Sequence, residues 1–289
     1  MSDAKDIPSA GPTIEALLRA GVRLLSDRSQ SPRLDVELLL AHAAGCTRGQ
    51  LYARRTDSLD RSADGRFRDL LDARRAGRPV AQLIGQREFW SLSLKVTPDV
   101  LTPRPDTETI VECALARLPA GSTARILDLG TGSGAIALAL AAERIGCHIV
   151  ATDLSPAALE VARDNAAAQG NSTIIWRQGD WWQAVPGDCF DLIVSNPPYI
   201  ADPEWPQCDP ELAFEPRMAL DGGRDGLDAI RSIVREGCVH LNAGGSLLIE
   251  HGSRQDSAVR ALMTAAGFKE VLSVRDLAGH PRVTGGRRP

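Results

Sequence analysis

A chain of 289 residues with 43% hydrophobic and 24% charged content is long enough to bury a real core, and its length suits two unequal domains. No apolar run approaches a membrane span, and six cysteines without a CxxC pair argue against both a zinc site and a disulfide framework, so no metal is expected. The formal charge of −4 offers no general basic face for nucleic acid.

Residues 1–12 are small and polar with no apolar h-region, which fits a disordered lead-in and, by default, a cytoplasmic location. From Thr13 onward, Leu17, Leu18, Val22, Leu24 and Leu25 recur at helical spacing. Ser31-Pro32 then sets a capping hydroxyl before a proline at the first helical position, with Gly45 as the C-cap of a second helix. Further helices are predicted near 50–53 and 62–76, so residues 13–78 read as a small helical bundle. His42 sits among them as a packed or surface residue rather than a ligand. Residues 48–87 carry ten Arg against five Asp, a local surplus that solvated helix faces with Arg stems over apolar surface explain.

After Gly77-Arg78-Pro79 the pattern turns to alternation. Trp90, Leu92, Leu94 and Val96 face one way and Ser91, Ser93 and Lys95 the other, which predicts a half-buried strand pairing in a hairpin. Residues 79–103 are therefore expected to be a β-hairpin linker. The segment Leu101-Thr102-Pro103-Arg104-Pro105-Asp106-Thr107-Glu108 precedes a helix through Leu118, and its acids suit a helix N-terminus. From Arg125 short β-rich runs alternate with helices, the pattern of a doubly wound α/β sheet spanning 104–289. Strands are expected near 125–129, 148–153, 173–177, 190–195, 246–250, 270–275 and 282–285. Helices are expected near 134–144, 156–168, 225–241 and 254–266. The short turn joining the last two strands would make one strand antiparallel.

Asp128-Leu129-Gly130-Thr131-Gly132-Ser133-Gly134 follows the first of these strands and opens a helix, so the backbone there turns tightly and approaches a ligand closely. A nucleotide-like cofactor is implied. The loop alone does not separate NAD from S-adenosylmethionine, because Gly130, Gly132 and Ala135 also satisfy the dinucleotide fingerprint and Asp153 stands where a ribose-binding acid belongs. Two features favour S-adenosylmethionine. The Asp128 carboxylate suits a cofactor that carries cations better than one carrying a pyrophosphate, and Asp180-Trp181 could bond an adenine amino group and pack its ring.

Asn196-Pro197-Pro198-Tyr199 follows the apolar run 190–195. Asn196 offers a side-chain carbonyl, Pro197 offers a backbone carbonyl with no competing N–H, and Tyr199 offers a flat ring. Together they form an acceptor pair for an NH2 group, whereas a plain turn closing a strand is the bland alternative for Asn-Pro and Pro-Pro. Asn196 would border the cofactor as well as the substrate. The glycine loop, Asp153, Asp180 and NPPY all fall at strand C-terminal ends, where open α/β sheets bind ligands. That coincidence points to a methyltransferase.

With DLGTGSG, ATD, GDW and SNPPY in order, the chain resembles the Rossmann-like class I methyltransferases that act on planar or amide nitrogens. Segments outside the shared core narrow the likeness: 79–85, Phe89-Trp90, LTPRPDTE, Phe214-Glu215-Pro216-Arg217, Gly222-Gly223-Arg224-Asp225-Gly226-Leu227-Asp228, Glu250-His251-Gly252 and Arg282-Val283-Thr284. With these it is similar to the bacterial N5-glutamine methyltransferases of class I peptide-chain release factors. The resemblance implies a seven-stranded methyltransferase sheet with helices on both faces. It also implies S-adenosylmethionine as methyl donor, the Gly-Gly-Gln loop of a release factor as substrate, and an N-terminal helical domain that helps hold that protein. A monomer is expected. The competing function is an adenine-N6 or guanine-N2 methyltransferase acting on DNA or RNA, since an exocyclic amine also fits the acceptor pair.

Overall fold

The helical and the β-rich halves of the sequence sort into two compact units in the computed structural model, one ending at Gly85 and the other beginning at Gln86. The structure describes residues 11–289, so the expectation for 1–12 falls mostly outside the described residues.

The first unit contains α1 (Ile14–Leu25), α2 (Pro32–Ala44), α3 (Arg48–Ala53), α4 (Arg61–Arg75) and α5 (Val80–Ile84). Ile14, Leu17, Leu25, Val36, Leu39, Leu40 and Phe67 fill its core. Ser31 begins α2 as expected, but its hydroxyl donates to the Asp35 carboxylate instead of capping the helix. Asp35 also takes Ser29 and the buried Arg74, whose Nε lies 2.7 Å away. Arg48, Arg54, Arg66, Arg68 and Arg74 are all engaged within the unit, so at least half of the ten local arginines are structural. His42 is exposed, and no described group of side chains could hold a metal. Burial would raise Glu37, but hydrogen bonds from Tyr52, Arg48 and Arg33 outweigh it and hold this carboxyl at about 2.

The second unit opens with a hairpin of β1 (Gln86–Phe89) and β2 (Leu92–Lys95). The hairpin is shorter than the expected 79–103, because residues 80–84 are α5. Trp90 is not in a strand: it and Ser91 form the two-residue turn, both at positive φ (51° and 60°). Such a turn matches the twist of paired strands, which is why hairpins select it despite the strain on residues with a Cβ. Glu108 and Glu143 hold Trp90 there, accepting from its backbone N–H and its indole N–H.

The rest of the unit comprises α6 (Glu108–Leu115), β3 (Arg125–Leu129), α7 (Ala135–Glu143), β4 (His148–Asp153), α8 (Pro156–Ala168), β5 (Ile175–Gln178), β6 (Phe190–Ser195), α9 (Asp228–Gly237), β7 (Leu241–Glu250), α10 (Asp256–Ala265), β8 (Lys269–Arg275) and β9 (Pro281–Arg287). The sheet order is β5-β4-β3-β6-β7-β9-β8, parallel except for β9, which runs antiparallel to both neighbours. Period-two alternation divides the sheet into two buried faces. Ile126, Leu192 and Val194 pack into one layer, and Leu127, Leu129 and Ile193 into the other. The Rossmann-like reading of the sequence stands. Residues 202–219 form three short 3-10 turns that no apolar periodicity announced.

Replacing Ser91 by Gly removes the Cβ from a left-handed turn position and is expected to stabilise the protein by about 0.5–1 kcal/mol, while Ser91→Val destabilises it. Chemical denaturation of the three proteins checks this, and equal midpoints would contradict the turn's strain.

Candidate active site

Strand order reverses at β3, with β4 on one side and β6 on the other, and a cleft opens at the C-terminal ends of these strands. The space within it, open solvent at the mouth included, is about 1030 Å³. Gly130, Thr131, Gly132, Ser133, Asp153, Asp180, Trp181, Asn196 and Pro198 all line it. Asp128, Gly134, Pro197 and Tyr199 do not, and each has a different place.

Asp128 lies beneath the loop, fully buried. Its Oδ2 accepts the Thr131 hydroxyl at 2.6 Å, and its Oδ1 has no partner. Burial pushes its carboxyl up to about 7 against the Thr131 bond. Its influence on the cleft therefore passes through Thr131. Gly134 turns the loop into α7 at φ 83°, and a Cβ there would meet Ala162 and Trp176 at 3.2 Å. The loop is tied to β4 by Gly130 and Thr131 N–H groups donating to the Thr152 carbonyl, and by Gly132 N–H donating to Asp153 Oδ2 at 2.8 Å. Ser155 N–H takes the other Asp153 oxygen at 2.9 Å, which fixes the carboxylate and leaves lone pairs on both oxygens. Across the cleft Asp180 is exposed. Trp181 sits at φ 43°, a strained value for a residue with a Cβ, and its ring packs closely over Gly130. The neighbouring Trp182 is core, stacked on His240 at 4.5 Å.

Asn196 stands at the end of β6 because Ser195, wholly buried, donates its hydroxyl to the Leu129 carbonyl at 2.7 Å. The Asn196 amide nitrogen donates to Thr107 Oγ1 at 3.2 Å, and among the described residues none donates to its side-chain oxygen. The acceptor end of the amide is thus the free one. Pro197 is buried behind Pro198, and Tyr199 is half-buried with its hydroxyl 3.5 Å from Glu250 Oε1. Burial, then the Glu250 charge, raises the Tyr199 phenol well above its usual range, so it stays neutral.

The segments beyond the shared motifs brace this turn. Gly222 packs so closely on it that a Cβ would lie 2.8 Å from the Tyr199 Cα. Ile200 exchanges backbone hydrogen bonds with Leu220 and Gly222, and the Gln255 amide donates to the carbonyls of Tyr199 and Gly226. His251 is held neutral by burial. Its Nδ1–H donates to the Gly252 carbonyl, so its Nε2 accepts the Thr284 hydroxyl at 2.7 Å. Arg104 pairs with buried Glu215 at 2.7 Å, Glu108 serves the hairpin turn, and Arg282 pairs with Asp106 and Asp276. Asp99, Val100, Leu101, Thr107, Pro216, Met218 and Ala219, which also bound the cleft, carried no site signal of their own in the sequence, although Leu101, Thr107 and Pro216 lay in segments already singled out.

Two family models match the chain: one described as PrmC N-terminal domain over residues 16–85, and one described as Methyltransferase small domain over residues 107–207. A release factor glutamine methyltransferase of Xylella fastidiosa strain Temecula1 is 49% identical over 259 residues, covering 89% of this chain and 94% of its own. One of the same description from Escherichia coli strain K12 is 47% identical over 261 residues, covering 90% and 93%. Among solved structures, a methyltransferase from Pyrococcus furiosus shares the fold at a TM-score of 0.53 and 19% identity, over 76% of this chain and 97% of its own.

Glu250, almost wholly buried, is pushed by burial from 4.5 up to about 7. The unfolded chain gives up this proton near 4.5 and the folded one near 7, so the stability it contributes is full below 4.5 and falls as pH rises to 7, by about 3 kcal/mol. Urea denaturation across that range is expected to show a steeper fall for the wild type than for Glu250→Gln. Parallel curves would contradict the burial of an ionising Glu250.

Proposed function

The chain belongs to the release factor glutamine methyltransferase family, and from that membership we propose that it transfers a methyl group from S-adenosylmethionine to the N5 amide nitrogen of the glutamine in a class I release factor's Gly-Gly-Gln loop. The single observation that carries the chemistry is the Asn196 amide, whose nitrogen is spent on Thr107 and whose oxygen is left to accept.

The residues of the cleft suit the cofactor. The 130–133 backbone and the Asp153 lone pairs fit an amino-acid tail and ribose hydroxyls, Asp128 supports the loop from beneath through Thr131, and Asp180 with the Trp181 ring fits an adenine. When bound, the cofactor supplies an electrophilic methyl group on a positively charged sulfur. A primary amide nitrogen is a weak nucleophile because its lone pair is delocalised into its carbonyl, so position must compensate. In this reading the Asn196 side-chain oxygen and the Pro197 carbonyl accept the two amide hydrogens, and the Tyr199 ring lies against the amide plane. Those fixed oxygens also stabilise the positive charge that grows on the nitrogen. No strong base is required within NPPY if the proton leaves after transfer. The N-terminal helical unit is proposed to help hold the release factor, and the protein is proposed to act as a monomer in the cytoplasm.

Mass spectrometry of a release factor's Gly-Gly-Gln peptide after incubation with enzyme and cofactor should show a single added methyl on glutamine. Asn196→Ala should keep cofactor affinity within a few-fold and lower turnover by about 100-fold or more, the scale of losing a preorganised acceptor. Transfer to an adenine or guanine amine in nucleic acid, with none to the peptide, would overturn the assignment.

A further inference from the structure

The segments 101–108 and 214–217 meet through one ion pair beside the cleft. Leu101, Pro103 and Thr107 of the first and Pro216 of the second line it. Arg104 and Glu215 do not; they join the two segments, with Arg104 Nη2 donating to Glu215 Oε1 at 2.7 Å. We propose that Arg104, held by Glu215, is a substrate-binding residue that donates to the backbone carbonyl oxygens flanking the target glutamine, an inference that rests on the glutamine-methylation reading.

The pair is lopsided. The Glu215 side chain is wholly buried, whereas 38% of the Arg104 side chain stays open to solvent. Burying a carboxylate is costly, and a buried ion pair seldom stabilises a fold more than apolar packing of the same volume would. What it does supply is a guanidinium fixed in place. Glu215 Oε1 takes the Arg104 bond and its Oε2 has no partner, so the carboxylate serves Arg104 alone. A guanidinium carries five N–H donors in a rigid planar fork and accepts nothing. One is spent on Glu215, and among the described residues no other has an acceptor. The ligand that suits such a group is a row of carbonyl oxygens or a carboxylate. Its place favours the carbonyls. The stretch that follows Glu215 runs straight to the acceptor turn, where the Ile200 N–H donates to the Leu220 carbonyl at 2.9 Å, and Thr107 of the Arg104 segment accepts from Asn196. Burial raises the Tyr199 phenol, and Arg104 is one of the two cations whose charge opposes that rise. A glutamine side chain held at Asn196 and Pro197 leaves its main chain outside, and two preceding glycines have no side chains to shield their carbonyl oxygens. The competing acceptor, the carboxylate of the cofactor, is seated in this reading against the 130–133 backbone.

Arg104→Lys keeps the charge opposite Glu215 and loses the fork. Arg104→Met combined with Glu215→Gln removes both charges and keeps both shapes, so no buried charge is stranded. In the full-length enzyme the KM for a Gly-Gly-Gln peptide should rise by about tenfold or more in the double variant and by about threefold or more in Arg104→Lys, the scale of a charge-assisted hydrogen bond, while kcat at saturating peptide stays within about twofold. Calorimetric affinity for S-adenosylhomocysteine should stay within about twofold in both, which also reports an intact cleft. A wall that had merely lost its shape would lower kcat and cofactor affinity together. Should the double variant fail to fold, Arg104→Lys carries the comparison. An unchanged peptide KM, or a fall in kcat or cofactor affinity in place of the raised KM, would overturn the proposal while leaving the methylation reading intact. No methylation by the wild type would overturn the reading beneath it.

Discussion

The hydrogen bond from the Ser195 hydroxyl to the Leu129 carbonyl joins the two strand ends from which the whole site grows. β3 delivers the glycine loop and β6 delivers NPPY, and parallel pairing from Ile126 with Leu192 to Leu129 with Ser195 sets them in register. Beyond that last pair the chains part, one turning into α7 and the other into the Asn-Pro-Pro turn. A buried bond at the point of divergence keeps loop and turn on opposite walls of one cleft. Sequence order matters less here than strand order: Leu129 and Ser195 are far apart along the chain and adjacent in the sheet.

The turn at NPPY has little strength of its own, since two prolines remove two backbone donors. Its rigidity is borrowed. Gly222 and Gly226 approach the Tyr199 backbone so closely that neither can carry a Cβ without displacing it, and Gln255 bonds the Tyr199 carbonyl directly. Gln255 is placed in turn by accepting from the Gly252 N–H, and neighbouring His251 is placed by Thr284 of β9. Segments that look unrelated in the sequence, GGRDGLD, EHG and RVT, are successive supports of one acceptor turn. Placing β9 antiparallel between β7 and β8 is what brings Thr284 and Arg282 to that end of the sheet.

Most of the fold was legible because its signals are local. Short apolar, β-rich runs marked β3, β4 and β6, the glycine loop marked the start of α7, and Gly45 marked the end of α2. What escaped depends on contacts between distant residues. The Trp90-Ser91 turn lacks the Asn or Gly that announces such turns, and two distant glutamates hold it instead. The 3-10 turns of 202–219 have no periodicity to detect. In the site, the residue types at 130–133, 153, 180, 181 and 196 sufficed to place them on one cleft. Asp128 was legible as an acid beside the loop, but its depth beneath Thr131 was not. Thr107 had no signal of its own, since its place beside Asn196 comes from the fold and not from its neighbours in sequence.

The account turns on what the two acceptors at the end of β6 hold. The most direct measurement is a crystal structure of the protein with S-adenosylhomocysteine and a Gly-Gly-Gln peptide. The account predicts the glutamine amide nitrogen within hydrogen-bonding distance of both the Asn196 side-chain oxygen and the Pro197 carbonyl, with Asn196 still donating to Thr107. A glutamine bound elsewhere, or one whose carbonyl faces Asn196, would contradict it.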